Sequence, residues 1–125
     1  MQKTILIVDD EPSVLKLVEV ILAGAGYSVL AAGNYKTALA LCGAHEKISL
    51  ALLDYVMPDM NGAEVAERLR QIRSTLPIAM MSGFAPQEIR DRNVPLQSFP
   101  LIQKPFKPSV LLEFVKRALD SEAPC

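Results

Sequence analysis

"TILIVDDEPSVLKLVEVILAGAGYSVLAA", residues 4–32, decides the fold class. It opens on Thr4 to Val8, a short run without polar alternation, the pattern of a strand buried on both faces. Pro12 then suits a first helical turn, Val14, Leu17, Val18 and Ile21 form one apolar stripe at helical spacing, and Gly24 and Gly26 mark the exit. A second apolar run, Ser28 to Ala32, completes a strand-helix-strand unit. Such a unit builds a parallel sheet through a right-handed crossover.

The same alternation continues to the C-terminus. "SLALL" (49–53), "IAMM" (78–81) and "PLIQ" (100–103) read as further strands. "NYKTALALCGAH" (34–45) opens on Asn34 as an N-cap, and "NGAEVAERLRQIRS" (61–74) puts Val65, Ala66, Leu69 and Ile72 on one face. "KPSVLLEFVKRALDS" (107–121) repeats the proline start, with Val110, Leu111, Phe114, Val115 and Leu119 facing inward. Between the fourth and fifth strands, Pro86, Pro95 and Pro100 confine any helix to about residues 87–93, which predicts a shortened fourth helix. Pro100 also removes an N–H donor, so the fifth strand belongs at an edge. The expected fold is α/β, doubly wound and flavodoxin-like, with a five-stranded parallel sheet in the order 2-1-3-4-5. Residues 1–125 make one domain, with only "SEAPC" after the last helix.

Composition excludes several classes. Half of the 125 residues are hydrophobic, which argues against disorder. A net charge of −1 with no Lys/Arg run offers no footprint for direct nucleic-acid binding or for an anionic membrane surface. No apolar stretch approaches a membrane span, and Met1 leads straight into the first strand without a signal-peptide layout, so the expected location is cytoplasmic. Cys42 reads as a small buried hydrophobe, Cys125 as part of a tail, and His45 as a surface residue near a helix end.

In open parallel sheets, chemistry collects beyond the carboxyl ends of the strands. Strand one is followed by Asp9, Asp10 and Glu11; strand three by Asp54; strand four by Ser82 and Gly83; strand five by Lys104 and Pro105. Each has an ordinary reading. The acidic triplet before Pro12 can cap a helix, Asp54 can serve a turn, Ser82-Gly83 can be loop, and Lys104-Pro105-Phe106 can lead into a helix. Their coincidence at the strand ends of one sheet favours a shared site instead. Crowded carboxylates repel unless a cation joins them, and Mg²⁺ prefers one or two carboxylates with waters and phosphate oxygens. A carboxylate beside such an ion can attack phosphorus, while a hydroxyl and a lysine meet the oxygens of the transferred group.

"ILIVDDEP", "LLDYVMPDMNG", "MMSG" and "QKPF", in this order and at these intervals, resemble the response-regulator receiver domain of two-component signalling over essentially the whole chain. The resemblance implies a phosphorelay protein that takes a phosphoryl group on Asp54 from a sensor histidine kinase or histidine phosphotransfer protein and switches contacts with a downstream protein. It implies Mg²⁺ as cofactor, with Asp10 a direct ligand, Asp9 acting largely through water, and Asp54 and the Val56 backbone carbonyl completing the set. Ser82 would donate a hydrogen bond to the phosphoryl group after it forms, Lys104 would bind another phosphoryl oxygen, and the Lys104–Pro105 bond is expected to be cis. The isolated chain is then no enzyme beyond its own phosphorylation and dephosphorylation. "FPLIQKPF" and the Met-Ser-Gly turn are also similar to receivers at the C-terminus of hybrid sensor kinases, whereas Met1 just before strand one fits a stand-alone regulator.

The chain departs from the family pattern in two respects. Leu101 stands where Tyr or Phe is usual, three residues before the lysine, which puts an aromatic switch coupled to Ser82 in doubt. Val56 and Phe84, each two residues after a site residue, are apolar and leave attacking water without a polar partner, so slow self-dephosphorylation is expected. Other readings fit less well. An aspartate-nucleophile phosphatase usually has a second aspartate where Val56 stands, and Asp9, Asp10 and Glu11 would repel a bound nucleotide phosphate. A receiver-like interaction module that is never phosphorylated is the remaining alternative, against which every acceptor, metal and donor position is filled.

Overall fold

The structure is a computed structural model that describes residues 3–57, 60–83 and 99–121. Its strands are β1 (Thr4–Val8), β2 (Ser28–Ala32), β3 (Ile48–Asp54), β4 (Ile78–Ser82) and β5 (Leu101–Gln103). Its helices among the described residues are α1 (Pro12–Gly24), α2 (Tyr35–Ala44), α3 (Gly62–Ile72) and α4 (Pro108–Ser121). The strands pair in parallel in the order β2-β1-β3-β4-β5, so the chain is an α/β protein of the expected flavodoxin-like kind. Pro100 precedes the edge strand β5 and offers its carbonyl to the Met80 N–H at 2.8 Å. The short helix expected at about 87–93 lies outside the described residues, as do Phe84, Pro86 and Pro95.

Strand alternation divides the apolar residues between two cores. Leu6, Val8, Ala51, Leu53, Ile78 and Met80 face α2 and α3, meeting Ala38, Cys42, Val65, Ala66 and Leu69. Ile5, Ile7, Leu50, Leu52, Ala79, Met81 and Ile102 face α1 and α4, meeting Val18, Leu22, Leu111, Val115 and Ala118. β1 and β3 are thus covered on both faces, which is why their sequences lack polar alternation.

Helix ends follow local chemistry. The Asn34 side chain accepts from the Thr37 N–H at 2.8 Å and the Asn61 side chain from the Glu64 N–H at 2.9 Å, capping α2 and α3. At the end of α1, Tyr27 N–H reaches the Leu22 carbonyl and Gly26 N–H the Ala23 carbonyl, with Gly26 at φ +98°. A glycine there lets the chain reverse without a Cβ penalty.

The inward stripes need three corrections. Leu17 is 51% exposed and Leu22 is buried in its place, because the sheet meets α1 along Val18 and Leu22. Ile72 and Val110, expected inside, are 45% and 49% exposed, each near a helix end where the sheet has fallen away. No helix among the described residues is long and apolar enough to cross a membrane.

Leu22→Ala is therefore expected to cost about 2–5 kcal/mol through cavity formation. Leu17→Ala, on the same helix, should stay within about 0.5 kcal/mol of wild type. Urea unfolding of the two variants checks the assignment; comparable losses would contradict the observed face.

Candidate functional site

Asp9, Asp54, Ser82 and Lys104 arrive at one edge because each ends or directly follows a parallel strand. The Asp9 N–H still donates to the Ala32 carbonyl at 3.1 Å, so the sheet ladder extends to this residue. Asp54 is the last residue of β3, opposite Met81, and Ser82 is the last of β4, opposite Gln103. The Lys104 N–H donates to the Ser82 carbonyl at 2.7 Å, which sets where the lysine leaves β5, and the Lys104–Pro105 peptide is cis. Asp9, Asp54 and Ser82 are buried polar residues beside a sheet interior whose buried side chains are apolar. Ser82 is fully enclosed and Asp10 is partly exposed beside Asp9.

Carboxylate oxygens of Asp9, Asp10 and Asp54 all lie within 4.8 Å of one another. The Lys104 ammonium enters the same space, 2.8 Å from Asp9 Oδ2 and 3.3 Å from Asp54 Oδ2. The Glu11 N–H donates to Asp9 Oδ1 at 2.9 Å, and the Val56 N–H approaches Asp54 Oδ1 at 3.4 Å. The capping reading of the acidic triplet fails at the helix itself: Glu11 occupies the N-cap position with no side-chain cap bond. Asp9 instead turns its carboxylate toward Lys104.

Burial pushes the Asp54 carboxyl up, the negative charge of Asp9 pushes it further, and Lys104 with the Val56 N–H only partly offsets both, giving about 6 against an ordinary 3.8. Burial alone would lower the Lys104 ammonium, but its hydrogen bond to Asp9 and the charges of Asp54 and Asp9 outweigh that and raise it. The ammonium gives its shorter hydrogen bond to Asp9, while its charge acts on both carboxylates.

A set of hard oxygen donors suits Mg²⁺ better than a soft or nitrogen-preferring metal. Three convergent carboxylates, one of them partly exposed, match the two carboxylates and open positions that this ion prefers.

Leu101 lies on β5 opposite Met80, partly buried against the core shared with α2 and α3. Phe99, two residues earlier, packs against the same core and lies under the Arg70 guanidinium, 5.3 Å from ring centre to Cζ. No motif signals this aromatic; only the alternation of β5 and the arginine spacing on α3 could have pointed to it. Tyr55 also escapes sequence reading. Its N–H donates to the Met81 carbonyl at 2.8 Å and its carbonyl accepts from the Gly62 N–H at 2.7 Å, which fixes the chain just after Asp54.

A family model described as the response regulator receiver domain matches residues 5–116. The phosphate regulon transcriptional regulatory protein PhoB of Pseudomonas aeruginosa is 36% identical over 130 aligned residues, covering 98% of this chain and 56% of that protein. A CheY-like response regulator receiver domain protein from Methanospirillum hungatei superposes with a TM-score of 0.81 at 32% identity, covering 98% of this chain and 97% of the other. The receiver domain of the hybrid histidine kinase CckA gives 0.78 at 27% identity, covering 93% and 98%. The chain spans about half the length of the curated relatives it matches.

The raised Asp54 pKa makes a stability prediction with a definite sign. The folded state holds this proton more tightly than the unfolded chain, so the contribution is present below about pH 4 and is lost as pH rises through about 6. In chelator, Asp54→Asn should be more stable than wild type near pH 7 by roughly 1–3 kcal/mol, the gap closing toward pH 4. Urea titrations across this range check it. A variant less stable than wild type at neutral pH would mean that Lys104 compensates the buried charge fully.

Proposed function

The chain belongs to the family of response regulator receiver domains, and on that premise we propose that it takes a phosphoryl group onto Asp54 from a histidine of a sensor kinase or phosphotransfer protein. The observation that carries the reading is the convergence of the Asp9, Asp10 and Asp54 carboxylates with the Lys104 ammonium at the carboxyl edge of β1, β3 and β5. An Asp54 carboxylate oxygen attacks phosphorus, the P–N bond to the donor imidazole breaks, and an acyl phosphate forms as the imidazole leaves with its electron pair.

Asp10, Asp54 and the Val56 backbone carbonyl would hold Mg²⁺, with Asp9 acting largely through water. When bound, the ion neutralises the crowded carboxylates and the charge on the phosphoryl oxygens. Lys104 exchanges part of its contact with Asp9 and Asp54 for a phosphoryl oxygen, and the Ser82 hydroxyl donates to another. Because Asp54 ends a strand hydrogen-bonded on both sides, the nucleophile is held on a rigid element rather than a loop.

Leu101 brings neither a hydroxyl nor a ring to the Ser82 side of β5. Any change of state that follows Ser82 therefore runs through aliphatic repacking of Leu101 against its apolar neighbours. The resulting change alters contacts with a downstream protein. In isolation the chain catalyses only its own phosphorylation and dephosphorylation, acting as a single receiver domain in the cytoplasm without contacting nucleic acid or membrane directly. A non-phosphorylated interaction module is the reading that a negative result would favour.

Intact mass after incubation with acetyl phosphate tests the proposal. Wild type should gain one phosphoryl group only with Mg²⁺, Asp54→Asn should gain none, and Lys104→Ala should react about tenfold or more slowly. Absence of any gain from folded wild type with Mg²⁺ would sink it. Val56 is 50% exposed and apolar, so the acyl phosphate should decay slowly, and Val56→Gln should speed decay roughly tenfold by giving water a partner. Loss of wild-type label within seconds would contradict this part.

A further inference from the structure

We propose that Gly62 is a positioning residue for the acceptor strand end, required for Mg²⁺ binding through the backbone of Asp54, Tyr55 and Val56 rather than for the fold alone. The inference rests on the site reading above. Gly62 is the buried first residue of α3, and its helix is seated directly on the peptide that leaves Asp54. A Cβ at this position would lie 2.8 Å from the Tyr55 Cα, 2.9 Å from the Asp54 carbonyl oxygen and 3.0 Å from Met80 Sδ. Two of these neighbours are backbone, which cannot swing aside as a flexible side chain can.

The contact is part of a clamp. The Tyr55 N–H is held by the Met81 carbonyl across the sheet, and the Tyr55 carbonyl is held by the Gly62 N–H at 2.7 Å. Asn61 fixes the helix start by capping Glu64, so α3 cannot retreat without losing its own cap. Tyr55 is thereby gripped at its N–H from β4 and at its carbonyl from α3. Val56, whose carbonyl is the backbone donor assigned to the ion, follows one residue later. A side chain at position 62 pushes this segment, and the separation between the Asp54 carboxylate and the Val56 carbonyl changes with it. No conformational need of its own explains the glycine: among the described residues the positive-φ glycine is Gly26, so Gly62 is selected by closeness.

The test compares Gly62→Ala with Leu69→Ala, a cavity variant buried on the same helix but turned into the apolar core. Mg²⁺ affinity is read from amide chemical shifts of Tyr55 and Val56 during titration, and stability from urea unfolding of the same samples. The expected result is a loss of Mg²⁺ affinity of about tenfold or more in Gly62→Ala, as for other groups that orient metal donors, with the affinity of Leu69→Ala unchanged. Equal affinities in wild type and Gly62→Ala overturn the proposal, as does a loss that Leu69→Ala reproduces. If Gly62→Ala does not fold, Met80→Ala is added to remove the one side-chain contact; a double variant that folds yet binds Mg²⁺ weakly supports positioning, whereas one that still fails to fold, or binds as wild type, overturns it. Wild type that binds Mg²⁺ but gains no phosphoryl mass sinks the acceptor reading and leaves the role of Gly62 to be decided by the affinities. Wild type that binds no Mg²⁺ overturns both.

Discussion

Two buried carboxylates placed side by side are the constraint around which the molecule is organised. Asp9 directly follows β1 and Asp54 ends β3, its neighbour in the sheet, and the Asp9 charge raises the cost of ionising Asp54. In a close-packed interior such a pair persists only if a counter-charge is delivered to the same place. Lys104 supplies it from just past β5, with β3 and β4 lying between that strand and β1 in the sheet. The order β2-β1-β3-β4-β5 therefore does more than stack apolar faces. It brings residues separated by 95 positions within 2.8 Å.

That arrangement also explains the division of labour between the two cores. The layers under α2 and α3 and under α1 and α4 fix the height of β1, β3 and β4, so that their carboxyl ends form a rigid rim. Polar residues appear where those layers stop. Asp54 is one residue beyond Leu53, and Ser82 one beyond Met81, both completely enclosed apolar residues. Stability stored in the layers holds like charges at a distance they would not otherwise keep, consistent with a functional site being locally unfavourable.

Most of this was legible in the residues, for identifiable reasons. β1, buried on both faces, lost its polar alternation, and Thr4–Val8 and the half-buried Ser28–Ala32 both announced themselves to the residue, while the Asn34 cap and the proline start of α1 marked helix beginnings. Helix stripes were less secure, because several apolar residues at helical spacing compete to be the inward ones. Leu17 lost to Leu22, and Ile72 and Val110 fell at helix ends where no sheet remains to cover them. The roster of site residues could be placed at strand ends by counting, but the pairing within it could not. That Lys104 lies nearer Asp9 than Asp54 depends on where the chain leaves β5, and this is set by the Lys104 N–H reaching the Ser82 carbonyl. The role of Gly62 was not legible, because closeness to a backbone leaves no trace in composition.

The Leu101 position shows how a site can be complete while its coupling to the rest of the fold differs. A phosphoryl group shifts a two-state equilibrium only by as much as it binds one state better than the other. Ser82 and Lys104 stand where such a difference would be felt, and they are joined backbone to backbone, so movement of one strand end is transmitted to the other. Beyond them, among the described residues, Leu101 against Met80 and Phe99 under Arg70 are side chains that lie on this route. A leucine repacks by rotamer exchange, with no polar group that must find a new partner. The barrier and the energy difference are then set by packing alone. Under the proposed acceptor role, coupling between site and surface would run through apolar fit, its strength set by how well β5 and α3 pack in each state.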